Sequence, residues 1–235
     1  GSRGNRFSLV YYQELFLNRR ESLFYVPPID AILNSLYFGL ITVGIALFLG
    51  FLAASIISSR SHWGRLLDPI LILPLGTSAV TLGLGFILVF NRPPLDVRSF
   101  PLLVPIAHSL VAMPFVVRIL QPVIASIPSE LKYSAMVLGA SPWRTFWQVE
   151  FPILNRAIIS AALFAFTISL GEFGATTFLA RPEQPTIPIA IYRYLSQPGG
   201  LNYGQAMAMS TILMIICALS IILIERLKLP NIKEF

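Results

Sequence analysis

The sequence has little charge and a large share of apolar residues. Asp, Glu, Lys and Arg make up 12% of its 235 residues, whereas 55% are hydrophobic. A chain with so few polar side chains cannot cover its apolar surface in water. Its long apolar runs also lack the alternation of a membrane-spanning β-barrel. These features exclude a soluble domain and predict an all-α membrane protein, a polytopic helical bundle in a lipid bilayer.

Residues for catalysis or metal binding are also scarce. The chain has one cysteine, Cys217, and two histidines, His62 and His108. One cysteine can form neither an internal disulfide nor a cysteine cluster for metal. The sequence also lacks the phosphate-binding pattern G-x-x-x-x-G-K-[ST] and the zinc pattern H-E-x-x-H. We therefore predict no catalytic residue, no metal and no cofactor of its own, and an intramembrane enzyme is disfavoured.

Uncharged runs predict five membrane helices, because about 20 apolar residues cross the hydrocarbon core. The predicted helix cores are residues 32–57, 66–90, 102–120, 153–173 and 205–224.

The predicted spans divide the chain into three regions. Residues 1–30 form an N-terminal extracytoplasmic or interfacial segment, in which residues 8–16 fit a helix on the membrane surface. Residues 31–228 form the transmembrane domain, and residues 229–235 form a cytoplasmic tail. With the N-terminus outside, nine of the 17 Lys and Arg residues lie on the cytoplasmic side and eight on the other, four of them in the N-terminal segment. The positive-inside rule supports this orientation once that segment is set aside.

The net charge of +6 does not indicate a nucleic-acid partner. The basic residues are scattered singly over the loops, with no stripe that a phosphate backbone could follow. We therefore predict contact with the lipid bilayer and no binding of nucleic acid.

The stretch YSAMVLGASPWRTFWQVEFP separates two apolar runs. Before it, Ser129 is predicted to cap a short helix, and Glu130 lies near the positive end of that helix. Gly139 permits the left-handed backbone of a helix stop, Ser141 can cap a second helix, and Pro142 suits the first turn of that helix. The pattern predicts two short helices joined by a turn.

The two short helices have two interpretations that the pattern leaves even. One is an amphipathic hairpin at the membrane surface, with Trp143 and Trp147 as interfacial anchors. The other is a projection that a soluble partner grips in a groove, which is a common way to bind helices. In both, Pro152 is expected as an early residue of the next span.

This loop resembles a cytoplasmic loop of the permeases of binding-protein-dependent ABC importers. The pattern there is E-A-A, three residues, G, nine residues, I, one residue, L-P, and the spacing from Gly139 to Pro152 agrees with it. The sequence departs from the pattern at Tyr133 in place of glutamate, Ser134 in place of alanine and Phe151 in place of leucine. The resemblance implies that the loop couples the bundle to a separate ATPase. Within a coupling loop of residues 129–152, the implied coupling residues are Tyr133, Ser134, Ala135, Gly139, Ala140, Ser141, Pro142, Val149, Phe151 and Pro152.

Two further stretches resemble permeases of the same superfamily. SLGEFGATTFLARPEQPTIPIAIYRYL and the N-terminal RRESLFYVPPIDAILNSL are similar to the second half of fused permeases that import ferric iron or thiamine. The L-G-E-F-G-A-T part is also similar to molybdate and sulfate permeases. The resemblance implies a type I importer permease in a bacterial or archaeal inner membrane, with ferric iron or thiamine as cargo. The alternatives are a molybdate or sulfate permease, or a membrane scaffold without transport.

The resemblance also implies partners. These are ABC ATPase subunits, which bind the ATP, an extracytoplasmic substrate-binding protein, and a second permease half that is fused or separate. The polar outer segment, residues 181–204, is expected to include a short helix near residues 187–195 and to contact the binding protein.

Polar residues in the second and fourth spans are candidates for the translocation path. The small residues of span two can pack against another helix or border a pore. Glu172 is costly at membrane depth unless it is wet or paired, and its region is interpreted either as an outer gate or as the anchor of a helix end. The candidate path or gate residues are Thr77, Ser78, Thr81, Glu172, Phe173 and Gly174.

His108 lies inside the third predicted span. A buried ionisable group can act as a relay or a ligand. We favour a neutral imidazole that is hydrogen-bonded to a neighbouring helix, because the sequence places no carboxylate near it.

Overall fold

A computed structural model describes residues 9–17, 27–59, 61–92, 95–96, 100 and 102–227. The long helices are α2 (Pro28–Ser58), α5 (Leu103–Ser126), α8 (Phe151–Gly171) and α11 (Gly200–Leu227). The shorter helices are α1 (Val10–Glu14), α3 (His62–Gly76), α4 (Ala79–Phe90), α6 (Ser129–Val137), α7 (Pro142–Thr145), α9 (Gly174–Leu179) and α10 (Ile187–Leu195). Two short strands, β1 (Asn91–Arg92) and β2 (Leu95–Asp96), pair antiparallel.

The helices confirm the predicted all-α bundle. Among the described residues, four helical stretches are long and apolar enough to cross a membrane, and α3 and α4 pass the same test as a bent pair. The four stretches are Pro28–Ser58, Leu103–Ser126, Pro142–Gly171 and Gly200–Arg226. The predicted number of five spans is therefore reached if the bent pair counts as one span.

The second predicted span, residues 66–90, is wrong as a single helix. α3 and α4 meet at an angle of 103°. Pro74 lies inside α3 and removes a helical donor, and Thr77 takes an extended backbone with ψ 146°. The Ser78 hydroxyl then accepts the Val80 N–H at 3.3 Å where α4 begins. The uncharged run did not predict this break, because the polar groups at the break are satisfied locally by short uncharged side chains.

The predicted end regions lie mostly outside the described residues. All of residues 229–235 and most of residues 1–30 are among the residues that the structure does not describe. Within the N-terminal segment, α1 confirms a short helix, and it packs on α11, where Gln205 Nε2 donates to the Glu14 carbonyl oxygen over 3.0 Å. In the outer segment, α10 confirms the predicted helix at residues 187–195.

Small residues hold the central helices together. The core between α2, α5 and α8 includes fully buried alanines from all three helices. Short side chains let helices approach closely in lipid, where packing rather than the hydrophobic effect drives their association. These alanines are Ala46, Ala54, Ala112, Ala161 and Ala165.

Gly50 lies where α2 approaches α5 closely, since a Cβ there would be 2.6 Å from Val116 Cγ1. We expect Gly50→Leu to lower the melting temperature of the detergent-solubilised protein, because overpacking a tight interface costs about 1 to 3 kcal/mol. Gly44→Leu is the matched control, since a Cβ at Gly44 has none of the described atoms within 4 Å. Equal melting temperatures for the two variants would contradict this packing.

Candidate functional site

The candidate coupling loop begins with α6, which follows an extended turn at Ile127 and Pro128. Pro128 occupies the N-cap with φ −60° and ψ 133°. The prediction that Ser129 caps α6 is therefore wrong, and Ser129 is already helical. The fixed φ of proline sets up the entry to the helix, so the next residue can begin its first turn. Glu130 lies in that first turn, as predicted, where its charge favours the positive helix end.

The turn after α6 depends on Gly139. Its φ of +86° is the left-handed conformation that was predicted for a helix stop. The Gly139 N–H donates to the Met136 carbonyl oxygen at 2.9 Å, and the Ala140 N–H donates to the Ala135 carbonyl oxygen at 3.0 Å. This pair of hydrogen bonds is a Schellman motif, which satisfies the last carbonyl groups of the helix. The chain therefore leaves α6 along a defined path.

The second helix starts as predicted but does not end as predicted. Ser141 caps it by accepting the Arg144 N–H at 3.3 Å, and Pro142 is its first residue. However, α7 continues through a π-helical segment, Phe146–Glu150, directly into α8. Pro152 lies in the first turn of α8, which confirms that it is an early residue of the next span. Because proline has no N–H to donate, it suits the irregular hydrogen bonding of the π-helical turn before it. The loop and the fourth span are therefore one continuous helix from Pro142 to Gly171.

An ion pair holds α6 against the start of this long helix. Lys132 Nζ lies 3.0 Å from Glu150 Oε1. An aromatic contact braces the long helix against the bundle, since the Phe146 ring centroid is 6.0 Å from that of Phe51 of α2. The loop is therefore braced against the bundle, whereas its outer face is free of the core.

The outer face of the loop is apolar and exposed. None of the ten predicted coupling residues, all of them described, is buried. Val137 and Leu138 are each 87% exposed, and Trp143 is 71% exposed. An apolar patch of this kind marks a contact with a partner or with lipid. Both interpretations of the loop, docking projection and interfacial hairpin, are compatible with this exposure.

A second group of polar residues lies buried near the other end of the bundle. His108 of α5 is 1% exposed, and its Nδ1 and Nε2 atoms lie 2.7 Å from Ser169 Oγ and Thr176 Oγ1. These contacts confirm the predicted hydrogen bond to a neighbouring helix. Ser169 Oγ in turn lies 3.3 Å from Thr42 Oγ1 of α2. Four helices, α2, α5, α8 and α9, therefore meet at one hydrogen-bonded network.

Glu172 joins the same network. Its Oε2 atom lies 3.4 Å from His108 Nε2 and accepts the Thr176 hydroxyl at 2.8 Å. The carboxylate also accepts the N–H groups of Ala175 and Thr176 at 3.0 and 3.1 Å, which caps α9. Glu172 is therefore paired and anchors a helix end, one of its two predicted interpretations. The sequence missed its contact with His108, because the two residues are far apart along the chain.

The His108–Glu172 pair does not form a metal site with its neighbours. Within the part of the chain that the structure describes, no group of three His, Cys, Asp or Glu residues is placed to hold a metal ion. The pair contacts hydroxyl and backbone groups instead.

The other candidate path residues lie on two sides of a helix contact. Thr77, Ser78 and Thr81 are exposed. Gly174, at the start of α9, is close to α4, and a Cβ there would lie 3.0 Å from the Val80 nitrogen. Phe173 is partly exposed and contacts the Tyr192 ring, with centroids 5.5 Å apart.

The small residues of α4 also serve packing. A Cβ at Gly83 would lie 2.7 Å from Ala175 Cα. The packing interpretation therefore holds for Gly83. Thr77, Ser78 and Thr81 are exposed, although the Thr77 hydroxyl donates to the Pro74 carbonyl oxygen at 3.0 Å and the Ser78 hydroxyl accepts the Val80 N–H.

The outer segment is held by Arg193 of α10, whose Nη1 donates to the Pro182 carbonyl oxygen at 2.9 Å. Burial lowers the pKa of Arg193, and the negative charge of Glu183 acts in the opposite direction. The guanidinium remains charged at neutral pH, because arginine titrates far above it. The segment therefore presents an ordered polar surface beside α10.

We expect Lys132→Glu to loosen α6, because two acidic side chains would then face each other at positions 132 and 150. Hydrogen–deuterium exchange of α6 amides should rise modestly, since a partly exposed ion pair contributes about 0.2 to 1 kcal/mol. The exchanged pair, Lys132→Glu with Glu150→Lys, should restore slow exchange. If the exchanged pair remains as loose as the single variant, the ion pair does not brace α6.

Comparison with known families and proteins gives a consistent result. A family profile described as "Binding-protein-dependent transport system inner membrane component" matches residues 46–233. A probable sulfate transport system permease protein, cysT, of Chlorokybus atmophyticus is 40% identical over 114 residues, which cover 47% of this chain and 39% of that protein. A putative 2-aminoethylphosphonate transport system permease protein, PhnV, of Salmonella typhimurium is 30% identical over 199 residues, 84% of this chain and 74% of that protein. The match to cysT of Anthoceros angustus covers 48% of that protein, so the chain spans less than half the length of both sulfate permeases.

Two solved structures share the fold. One is a bacterial ABC transporter involved in the import of the acidic polysaccharide alginate, with a TM-score of 0.70 and 18% identity over 96% of this chain and 86% of that chain. The other is the MetNI methionine ABC transporter in an inward-facing conformation, with a TM-score of 0.63 and 11% identity over 86% of this chain and 96% of that chain. At these identities the similarity shows the fold alone.

Proposed function

Because the chain belongs to the family of binding-protein-dependent transport system inner membrane components, we propose that it forms the translocation path of an ABC importer for sulfate or a chemically similar oxyanion. The membership makes it a multi-pass membrane subunit of a transport system. The cargo is suggested by relatives named for sulfate and for 2-aminoethylphosphonate transport. Both cargoes carry negative charge on oxygens around a central sulfur or phosphorus. This support favours the sulfate-type alternative over ferric iron or thiamine, which those relatives' names do not mention.

The exposed coupling loop is the observation that carries the transport proposal. Its apolar outer face offers an ATPase a surface to bind. The Schellman turn and the Lys132–Glu150 ion pair hold that surface in a fixed orientation relative to the bundle. The continuous helix Pro142–Gly171 then connects the loop to the buried end of the bundle at Glu172. A push on the loop would therefore be transmitted along a stiff helix, whereas a flexible loop would absorb it. ATP is bound and hydrolysed by the separate ATPase, and this chain is not an enzyme.

The path itself is assigned to the exposed hydroxyl face of the broken span. Thr77 and Ser78 lie at the bend between α3 and α4, and Thr81 lies in the first turn of α4. The bend therefore falls within the apolar run of the second predicted span. Hydroxyl groups can hydrogen-bond a passing oxyanion without holding it as tightly as a fixed positive charge would. The face would be completed by a second permease half, fused or separate. The ordered surface beside α10 would receive the extracytoplasmic binding protein.

We expect Gly139→Val to uncouple the importer. A β-branched residue at φ +86° is strained by about 1 to 2 kcal/mol, so the exit from α6 should change direction. Uptake and co-purification of the ATPase with the detergent-solubilised permease are measured together. Gly44→Val is the matched control, because Gly44 lies in α2 far from the loop in sequence and has open space around it. Normal uptake with normal co-purification in Gly139→Val would refute the coupling role.

The cargo is tested by uptake in cells that make the chain together with its ATPase and binding protein. We expect accumulation of radiolabelled sulfate that stops when the ATPase lacks its catalytic residue. 2-Aminoethylphosphonate, ferric iron and thiamine are tested in parallel. Import of iron or thiamine without any oxyanion would contradict the proposed cargo. Absence of all import, with no ATPase bound to the purified chain, would favour a membrane scaffold.

A further inference from the structure

α4 depends on α9 for its place in the bundle. It packs far more against α9 than against any other element. The contact is made by glycines, because a Cβ at Gly83 would lie 2.7 Å from Ala175 Cα and a Cβ at Gly174 would lie 3.0 Å from the Val80 nitrogen. Phe86 and Ile87 of α4 pack on the same apolar cluster as α9. A movement of α9 would therefore carry α4 with it.

α9 in turn depends on Glu172. The helix has only six residues, and isolated helices of that length are unstable in water. Two N–H groups of its first turn, those of Ala175 and Thr176, donate to the Glu172 carboxylate. The Thr176 hydroxyl donates to the same carboxylate at 2.8 Å. One buried side chain therefore fixes where α9 begins and in which direction it runs.

His108 holds the side chain of Glu172 in position. The two His108 ring nitrogens lie 2.7 Å from the hydroxyl oxygens of Ser169 and Thr176, and Nε2 lies 3.4 Å from Glu172 Oε2. Removing one member of a buried hydrogen-bonded network is destabilising, because the groups that stay behind are left unsatisfied. Through His108, the anchor of α9 reaches α5, α8 and α2.

We infer that His108 and Glu172 are positioning residues for transport, which act through α9 to hold α4 and its hydroxyl face in the translocation path. The inference rests on the proposed function for the path, whereas the positioning of α4 can be measured without transport. In this role His108 and Glu172 do not contact the cargo. It sets the angle at which the broken span enters the bundle.

The positioning is tested by hydrogen–deuterium exchange on the full chain in detergent. In Glu172→Gln and in His108→Gln, we expect amides of α9 and α4 to exchange on the order of tenfold faster, with α6 and α11 unchanged. The double variant should exchange more slowly than the product of the two single effects predicts, because residues in contact are energetically coupled. Matched controls are Glu225→Gln and His62→Gln, because the same chemical changes are made there at exposed residues outside the network. Thr176→Val is a milder variant that removes only the hydroxyl between His108 and Glu172. If the Glu172 and His108 variants do not fold, the exchange of α9 and α4 in Thr176→Val tests the inference.

Three results would overturn the inference. The first is unchanged exchange in α4 when α9 is loosened. The second is equal acceleration in all helices with a lower melting temperature, which is a general loss of stability. The third is a double variant whose acceleration equals the product of the two single accelerations, which would show that His108 and Glu172 act independently.

Uptake is measured on the same variants to separate this inference from the proposed function. If the pair positions the path, Glu172→Gln should lower uptake while the ATPase still co-purifies, and adding His108→Gln should lower uptake further by less than His108→Gln does alone. Local loosening of α4 with full uptake would refute the role in transport. If the wild-type chain imports none of the tested cargoes, the proposed function fails, whereas the exchange result still stands for the position of α4.

Discussion

Each backbone N–H and C=O group that enters the hydrocarbon core needs a partner inside the protein. This requirement makes the spans helical, and it also limits where they can break. The two breaks near the candidate path are both capped by side chains. Ser78 accepts the Val80 N–H at the start of α4, and Glu172 accepts the N–H groups of Ala175 and Thr176 at the start of α9. These side chains keep the named backbone donors paired at both breaks, of which the one at Ser78 is exposed and the one at Glu172 is buried.

The capped breaks and the candidate coupling loop belong to one mechanical arrangement. The helix Pro142–Gly171 has the exposed loop at one end and Glu172 at the other. Beyond Glu172, α9 carries α4 through glycine contacts that leave little room for sliding. The alanine-rich core of α2, α5 and α8 supplies the fixed support. Such a layout suits a subunit whose energy arrives through contact with another protein.

Much of this fold could be predicted from short-range patterns in the sequence. Uncharged runs located the spans, Gly139 located the left-handed turn, and Ser141 with Pro142 located a helix start, because each depends on groups a few residues apart. Predictions failed where neighbouring residues could each mark a helix boundary. Pro128 rather than Ser129 occupies the N-cap position of α6. The second short helix continues into the span, since nothing at Pro152 forces it to end. Whether the exposed loop meets an ATPase remains a prediction.

The sequence by itself determined that the chain lies in a membrane, how its apolar runs are spaced and where its tight turn falls, because hydropathy and backbone conformation are local properties. Only the tertiary structure decided that His108 has a carboxylate partner and that the second span is bent by 103°. Both depend on which distant helices meet. A charge at membrane depth must be paired, but its sequence neighbours do not reveal the partner, since helix packing brings together residues from separate spans.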